Sequence, residues 1–457
     1  MQLHDLVGHH VGIWGLGREG MASAEKLMAL DPSTQLTVAS DTPLAKEQKL
    51  LLQQISPTAT FCSGSDSLAG LSRCDVVIRS PGISLYRSEL EELRQRGVQL
   101  TTATNLWFAA NQGHSVIGVT GSKGKSTTSS LIAHLLSSAG RKVQLAGNIG
   151  VPLLKVEPEP DEIVVAEISS YQAADIGYTP DICVFLNLFR EHTDWHLTSE
   201  NYFRDKLNLA SHRQDAIVVA NSHDRELQAR LGSDPRARWF GDSTAIHPAG
   251  SMLMDGDAAV FDCTGAALRG AHNQLNMAAA LTAVKASGVA PQAVASALAT
   301  FQPLPHRLQL VLEYRGLRFI DDSISTIPEA TMAAFNSIEK GPIVLLVGGY
   351  DRGQSYLELA RHVSHSSRLL HVICLPDTGL RMLSAMETVA GEDQTQGRDV
   401  RASFAPSLAS AVTEAIAMAR DDCTILLSPG APSYGQFANF EERGNQFADL
   451  ARKATQG

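Results

Sequence analysis

Short runs of consecutive apolar residues recur along the chain, and each ends in glycine, serine or a cluster of polar side chains. VGIW (11–14), VVI (76–78), VIGV (116–119), IVVA (163–166), ICVFL (182–186), IVLLV (343–347), HVICL (371–375) and TILL (424–427) are of this kind. Runs this short and this apolar predict strands covered on both faces, as in parallel sheets flanked by helices. Between them, apolar residues return at helical spacing. Ala22, Ala24, Leu27 and Met28 follow the first run, and Leu131, Ile132, Leu135, Leu136 and Ala139 follow VIGV, with a helix expected from Thr127 onward. The alternation predicts an α/β fold. At 457 residues the chain is too long for one core. Three blocks are expected, 1–111, 112–304 and 305–457, with Pro303 and Pro305 at the second junction; no internal repeat is visible.

The turn after VIGV carries the most specific chemistry. Gly121-Ser122-Lys123-Gly124-Lys125-Ser126-Thr127 joins a predicted buried strand to a predicted helix. Two glycines let consecutive backbone N–H groups face one anion at the positive end of the helix. Lys125 can then reach the β- and γ-phosphates of a nucleotide, and the hydroxyl of Ser126 or Thr127 can ligate Mg²⁺. This turn predicts binding of ATP or a close relative. Gly15, Gly17 and Gly20 form a second, less specific glycine pattern, but it too follows a strand and precedes a helical stretch. Glu167, Ser169, Ser170 and Gln172 end one strand of the second block, and Glu191, His192, Asp194 and His196 follow the next. A carboxylate and an imidazole delivered beside a phosphate loop suit Mg²⁺, with Glu167 favoured by the ion's preference for oxygen.

Composition narrows the function classes. Hydrophobic content of 44% and charged content of 19% are ordinary for a globular protein. A net charge of −10 argues against a nucleic-acid partner. Six scattered cysteines with no C-x-x-C pair indicate neither a zinc site nor a disulfide frame and fit reduced thiols in the cytoplasm. The opening MQLHDLVGHHVGIWGLG lacks a basic stretch followed by an apolar one, so no secretory leader is expected, and no run reaches membrane-spanning length. A cytoplasmic monomer without membrane or nucleic-acid partners is the expectation.

GSKGKST, EISSYQ, the N-L-x-x-x-H-x-D stretch and HNQLNMAAA, together with LPHRLQ, a DDS segment and LSPGAPSYGQFANFEERGNQF, resemble the Mur ligases over essentially the whole chain. The C-terminal segment is most similar to the glutamate-adding members. The resemblance implies a Rossmann-like UDP-sugar domain, a central phosphate-loop ATP domain with a mostly parallel sheet, and a Rossmann-like C-terminal amino-acid domain. By motif position it implies that Lys125 and Ser126 handle the ATP phosphates and a first Mg²⁺, which Glu167 also ligates, while His192 serves a second. Lys206 in YFRDKLNLA matches the lysine that the family carries as a carbamate at the metals. Asn273 and Asn276 match the pair at the adenine, Arg307 the γ-phosphate arginine and Asp322 the ribose aspartate. Gly15, Gly17, Arg18, Glu19, Ser80, Asn148, Ser169 and Gln172 should face the UDP-sugar, and Thr326, Arg352, Ser433 and Phe440 the glutamate. The implied reaction joins glutamate to UDP-N-acetylmuramoyl-L-alanine through an acyl phosphate, with ATP and two Mg²⁺ ions.

The third block departs from the usual D-glutamate-adding pattern. Where that pattern reads D-S-K-A-T, this chain has Asp322-Ser323-Ile324-Ser325-Thr326, and the next glycine-rich turn carries Asp351 and Arg352 in place of a lysine. Inverting the Cα of glutamate, with its amine and side-chain carboxylate fixed, moves the α-carboxylate. A cation lost at 324 and an arginine fork gained at 352 suit such a move, and DSIST, GGYDRG and SPGAPS resemble the branch that adds L-glutamate. The alternatives are retained D-glutamate specificity, a folylpolyglutamate-synthase-like ligase, which would lack the GLGREG module, and a catalytically silent nucleotide-binding relative.

Overall fold

The computed structural model describes residues 1–44, 46–268, 270–302, 305–338, 340–351, 353–392 and 401–456. The chain divides into two compact units, Met1–Gln302 and Pro303–Gly457.

The first unit holds two parallel sheets. Strands β1 (His10–Trp14), β2 (Gln35–Ser40), β3 (Thr60–Ser63), β4 (Val76–Arg79) and β5 (Gln99–Thr101) order as β3-β2-β1-β4-β5. Strands β6 (Ser115–Thr120), β7 (Val143–Gly147), β8 (Ile163–Glu167), β9 (Ile182–Phe185), β10 (Ile217–Asn221) and β11 (Ala237–Phe240) order as β11-β10-β9-β6-β8-β7. The chain reverses its direction of strand addition beside β1 and beside β6, and such switch points open a crevice at the carboxyl ends of the strands. The glycine loop therefore follows β1 and the phosphate loop follows β6. Helix Ala103–Ala110 links the two sheets: Trp107 donates its indole N–H to Val156 O at 2.9 Å, and Phe108 stacks on Tyr178 with centroids 6.1 Å apart. Their buried residues merge into one apolar cluster.

A three-stranded antiparallel sheet, β12 (Ile246–Ala249), β13 (Met252–Asp255) and β14 (Ala258–Asp262), was not foreseen in the sequence. Its strands are four or five residues long and mostly half-buried, so they lack the dense apolar runs that mark the others. The phosphate-loop helix spans Lys125–Ser138 and thus starts two residues before the expected Thr127. Gly124 caps it at φ +85°, which carries the chain into the helix immediately after the second glycine.

In the second unit, β15 (Gln309–Tyr314), β16 (Leu317–Asp321), β17 (Ile343–Val347), β18 (Leu369–Cys374), β19 (Ala402–Phe404) and β20 (Thr424–Leu427) order as β15-β16-β20-β17-β18-β19. Only the edge pair β15–β16 is antiparallel. β17 and β20 are buried throughout, as their unbroken apolar sequence requires. β20 lies between β16 and β17, so the loops after these three strands gather at one edge of the sheet. Among the described residues no helix is long and apolar enough to cross a membrane.

Candidate active site

The phosphate loop is held from β9 and its following turn. Ser122 N donates to Asn187 O at 2.9 Å, Lys123 N to Asn187 Oδ1 at 2.7 Å, and Lys123 pairs with Glu191 at 2.7 Å. The Ser122 hydroxyl meets Tyr202 Oη at 2.7 Å and accepts from Phe189 N at 2.9 Å. A Cβ at Gly124 would lie 2.5 Å from Asn276 Oδ1, so glycine here lets helix Ala271–Ala286 bring Asn276 against the loop. Asn276 in turn donates to Asn273 Oδ1 at 3.1 Å. Lys125 Nζ folds onto the carbonyls of Gly121 and Ser122 at 3.0 and 3.1 Å, and Ser126 is buried in the first turn of the helix.

Helix Ser199–Leu207, whose N-cap Thr198 accepts from Asn201 N at 3.1 Å, turns Tyr202, Asp205 and Lys206 inward together. Lys206 is 1% exposed, donates to Gly121 O at 2.9 Å and lies 4.9 Å from the Tyr202 ring centroid. Burial, then the charge of Lys125, drives its pKa well below the usual lysine range, against the pull of Glu191 and Glu167. The shift favours the neutral amine. His192 stands at φ +54° on an exposed turn, with its ring 5.2 Å from that of Tyr171. Partial loss of hydration lowers its pKa, with Glu191 opposing the shift and Lys125 adding to it, which favours the neutral imidazole that a metal ligand needs.

Glu167 ends β8 and is 1% exposed. Its Oε1 accepts from Asn148 Nδ2 at 2.6 Å, whereas its Oε2 is buried without a partner. An orphaned carboxylate oxygen beside a phosphate loop fits a hard divalent cation. No group of three or more His, Cys, Asp or Glu side chains suited to a metal occurs among the described residues.

At the first sheet, a Cβ on Gly20 would lie 2.1 Å from Gly15 O, and Ser80 Oγ donates to that same carbonyl at 2.5 Å. The glycine pattern thus serves close packing of loop, helix Arg18–Leu30 and the Ser80 turn; Gly17 is the helix N-cap. Arg18 reaches Asn148 O at 3.2 Å and also Gly150 O. Ser169 and Gln172 cap each other, and Gln172 Nε2 donates to Glu19 Oε1 at 2.5 Å. Arg79, 2% exposed, pairs with Asp175 at 2.8 Å. Arg18 and Glu19 thus link the first sheet's glycine loop to Asn148 and Gln172 beside the second sheet. Burial pushes Glu19 up to about 7, opposed by the Gln172 bond and by the charges of Arg79 and Arg18.

In the second unit, the loops after β16, β20 and β17 carry Thr326, Ser433 and the Gly348–Asp351 turn. Tyr350 N donates to Pro432 O at 2.8 Å and Gln354 Nε2 to Thr326 O at 3.1 Å. Asp351 pairs with Arg381 at 2.6 Å; Arg352 lies outside the described residues. Asp322 is buried and accepts from Ser325, Ser428 and Leu308 N; burial raises it to about 6, while Arg307 is among the groups lowering it. Phe440 opens the last helix with its ring 6.0 Å from that of His306, which bonds Asp321 at 2.7 Å. Arg443, missed in the sequence reading, is 1% exposed and donates to the carbonyls of Ser323 and Ala431 at 2.9 and 3.0 Å. It ties the loops after β16 and β20 together, and burial lowers its pKa to about 10. Its position in the EERGNQF motif was the available signal.

A strand-turn-helix phosphate loop on a parallel sheet, a glycine-loop sheet beside it and a mixed third sheet give the architecture of an ATP-dependent ligase. Residues 119–284 match the Mur ligase middle domain and 306–430 the Mur ligase glutamate ligase domain. The chain is 41% identical over 461 residues to a UDP-N-acetylmuramoyl-L-alanine–L-glutamate ligase of a Micromonospora species, covering 99% of this chain and 98% of the relative. The enzyme of the same name from Xanthomonas oryzae pv. oryzae is 37% identical over 466 residues, with 99% and 97% covered. The crystal structure of the UDP-N-acetylmuramate–alanine ligase of Thermotoga maritima shares the fold at TM-score 0.55 and 15% identity, covering 98% of this chain and all of that one. The MurF ligase of Thermotoga maritima in complex with ADP gives 0.54 and 16%, with 98% and 95% covered. The chain belongs to the Mur ligase family.

Two outcomes follow from the site. Because the pKa of Glu19 is higher folded than unfolded, its stabilising contribution is complete below about 4.5 and lost as pH rises through about 7. Glu19→Gln should therefore gain in Tm relative to the parent between pH 5 and 8; a Tm difference independent of pH would mean that Glu19 is charged throughout. Lys125→Ala should keep the fold but lower turnover about 10²–10³-fold, as loss of one electrostatic contact to a transferring phosphoryl does. Near-normal ATP turnover would remove Lys125 from the site.

Proposed function

We propose that this chain is the ligase that joins glutamate, L-glutamate in preference to D-glutamate, to UDP-N-acetylmuramoyl-L-alanine at the expense of ATP in peptidoglycan precursor synthesis. The observation that carries the reading is near-full-length similarity to L-glutamate ligases, together with a buried lysine and an orphaned carboxylate oxygen in the unit that holds the phosphate loop.

The sugar-linked substrate enters the crevice beside Gly15, Ser80, Asn148 and Gln172. The loop amides after Gly121 and the ammonium of Lys125 hold the β- and γ-phosphates of ATP. The L-alanyl carboxylate attacks the γ-phosphorus, forming a C–O–P bond and releasing ADP. The glutamate amine then attacks the acyl carbon, a proton is lost, and phosphate departs as the amide forms. Bound at Ser126, Glu167 and His192, Mg²⁺ would offset charge on the transferring phosphoryl group. Arg307 is assigned to the γ-phosphate, Asp322 to the ribose, and Asn273 and Asn276 to the adenine.

Lys206 fits carbamylation on chemical grounds. A neutral amine adds to CO₂ and loses one proton to give an N-carboxylate, and only the unprotonated form can do so. The product would give this carboxylate-poor donor set another oxygen ligand for two metal ions. Lys206→Ala should be severely impaired and partly rescued by acetate or formate, whereas Lys206→Arg should not recover; full activity of the alanine variant would discard the carbamate.

The acceptor pocket is assigned to Thr326, Ser433, Phe440 and, by the sequence argument, Arg352. An unpaired substrate carboxylate in a closed site costs about 2–5 kcal/mol, enough for strong discrimination between enantiomers. Purified protein supplied with ATP, Mg²⁺, UDP-N-acetylmuramoyl-L-alanine and each enantiomer separately should give the higher kcat/KM with L-glutamate. A preference for D-glutamate would place the chain in the ordinary branch, and absence of ligation with either would sink the assignment.

A further inference from the structure

Four side chains in the first unit form an unbroken chain of hydrogen bonds that runs inward from the half-buried Tyr86. Tyr86 Oη donates to the Asp205 carboxylate, 2.9 and 2.7 Å from its two oxygens. Asp205 Oδ2 lies 2.7 Å from His196 Nδ1, and His196 Nε2 lies 3.0 Å from Ser170 Oγ. The His196 ring is wholly buried, and Asp205 and Ser170 are 3% and 4% exposed. A carboxylate only accepts, so in a neutral ring Nδ1 carries the hydrogen and Nε2 accepts from the serine hydroxyl. Polar groups this deep are costly unless satisfied, and here each satisfies the next.

The chain's members come from the segments that carry the proposed metal ligands. Ser170 stands three residues after Glu167, His196 four after His192, and Asp205 immediately before Lys206. Tyr86 belongs to the loop after β4, which docks on the same turn: Trp195 Nε1 donates to Pro81 O at 2.9 Å and Ser84 Oγ to Trp195 O at 2.5 Å. The aromatic packing fixes the imidazole plane, since Tyr171 stacks on it at 5.5 Å and 26° while Tyr202 meets it edge-on at 5.1 Å.

We propose that Tyr86–Asp205–His196–Ser170 is a positioning relay that sets the segments bearing Glu167, His192 and Lys206 relative to one another and ties them to the UDP-sugar loop. It rests on the ligase reading for what is being positioned, and acts through hydrogen bonds and a single tautomer rather than by touching substrate. Its closest chemical parallel is the carboxylate that orients a metal-ligating histidine, where loss of the outer partner costs about 10–100-fold in activity or affinity.

The test has a kinetic and a spectroscopic arm. Asp205→Asn and His196→Phe should lower kcat about 10–100-fold, with KM for ATP and UDP-N-acetylmuramoyl-L-alanine changed less than about threefold, the pattern of an interaction used in the transition state. In a double-mutant cycle, Ser170→Ala combined with His196→Phe should be no slower than His196→Phe alone, because one chain is broken once. In ¹⁵N-histidine spectra, the resonance absent from His196→Phe should report the Nδ1–H tautomer in the parent and the Nε2–H tautomer in Asp205→Asn. The near-isosteric Asp205→Asn and Ser170→Ala variants carry the kinetic arm if His196→Phe does not fold, and ¹⁵N labelling of Asp205→Asn against the parent then identifies the shifted ring. An unchanged tautomer, kcat within about twofold of the parent, or effects that simply multiply would overturn the relay. A parent that does not ligate would overturn the functional reading, while the tautomer measurement would still decide the hydrogen-bonded chain.

Discussion

One backbone carbonyl governs the electrostatics of the central site. Gly121 O accepts from both Lys125 Nζ and Lys206 Nζ, at 3.0 and 2.9 Å. Two ammonium groups on one acceptor repel each other, and with little water to screen them that repulsion is large. Lys206 is the more deeply enclosed, and its burial together with the charge of Lys125 drives its pKa down, which favours the neutral amine. The same carbonyl belongs to the first residue of the loop, which a Cβ would drive within 2.9 Å of Leu186. Backbone curvature, anion binding and the chemistry of a lysine 85 residues away thus converge on one peptide group.

The surrounding elements keep that geometry through polar contacts that are satisfied locally. Asn187, Glu191 and Phe189 hold the loop from one side, Tyr202 from another, and Asn148 engages one oxygen of Glu167 while leaving the other for a ligand. The crevice next to it is laced by Arg18, Glu19, Arg79 and their partners on the middle sheet. Several of these partners, Asn148 and Gln172 among them, are the groups assigned to the UDP-sugar. On that assignment, substrate binding and the packing of the two sheets draw on the same polar atoms.

The second unit gathers its loops by a different device. Parallel β16, β20 and β17 deliver three loops side by side, and the buried guanidinium of Arg443 bonds two of them at once. A Cβ on the following Gly444 would lie 2.2 Å from His306 Nδ1 and 2.3 Å from Asp321 Oδ2, so the RGN step in the last helix is shaped by the PHR and DDS segments packed on it. The motif is a record of close packing as much as of substrate contact.

The sequence by itself determined the class of fold, the phosphate loop and the family. Unbroken apolar runs can only be strands covered on both faces, and Gly-x-x-Gly-Lys-Ser after such a run admits few other uses. It also placed Glu167 at a strand end, where parallel sheets gather ligands, whereas His192 lies on the turn seven residues beyond β9. It could not reveal the small antiparallel sheet, whose strands lack a dense apolar pattern, or the start of the phosphate-loop helix at Lys125, which depends on the left-handed turn at Gly124. Lys206 read alone is a surface lysine on a helix. Its burial, its lowered pKa and the bonding of Asp205 to His196 exist only once helix Ser199–Leu207 packs against the phosphate loop and the turn after β9. Local pattern sets which residues are strands, turns and loop ligands; desolvation and charge pairing between residues distant in the chain are set by tertiary packing alone.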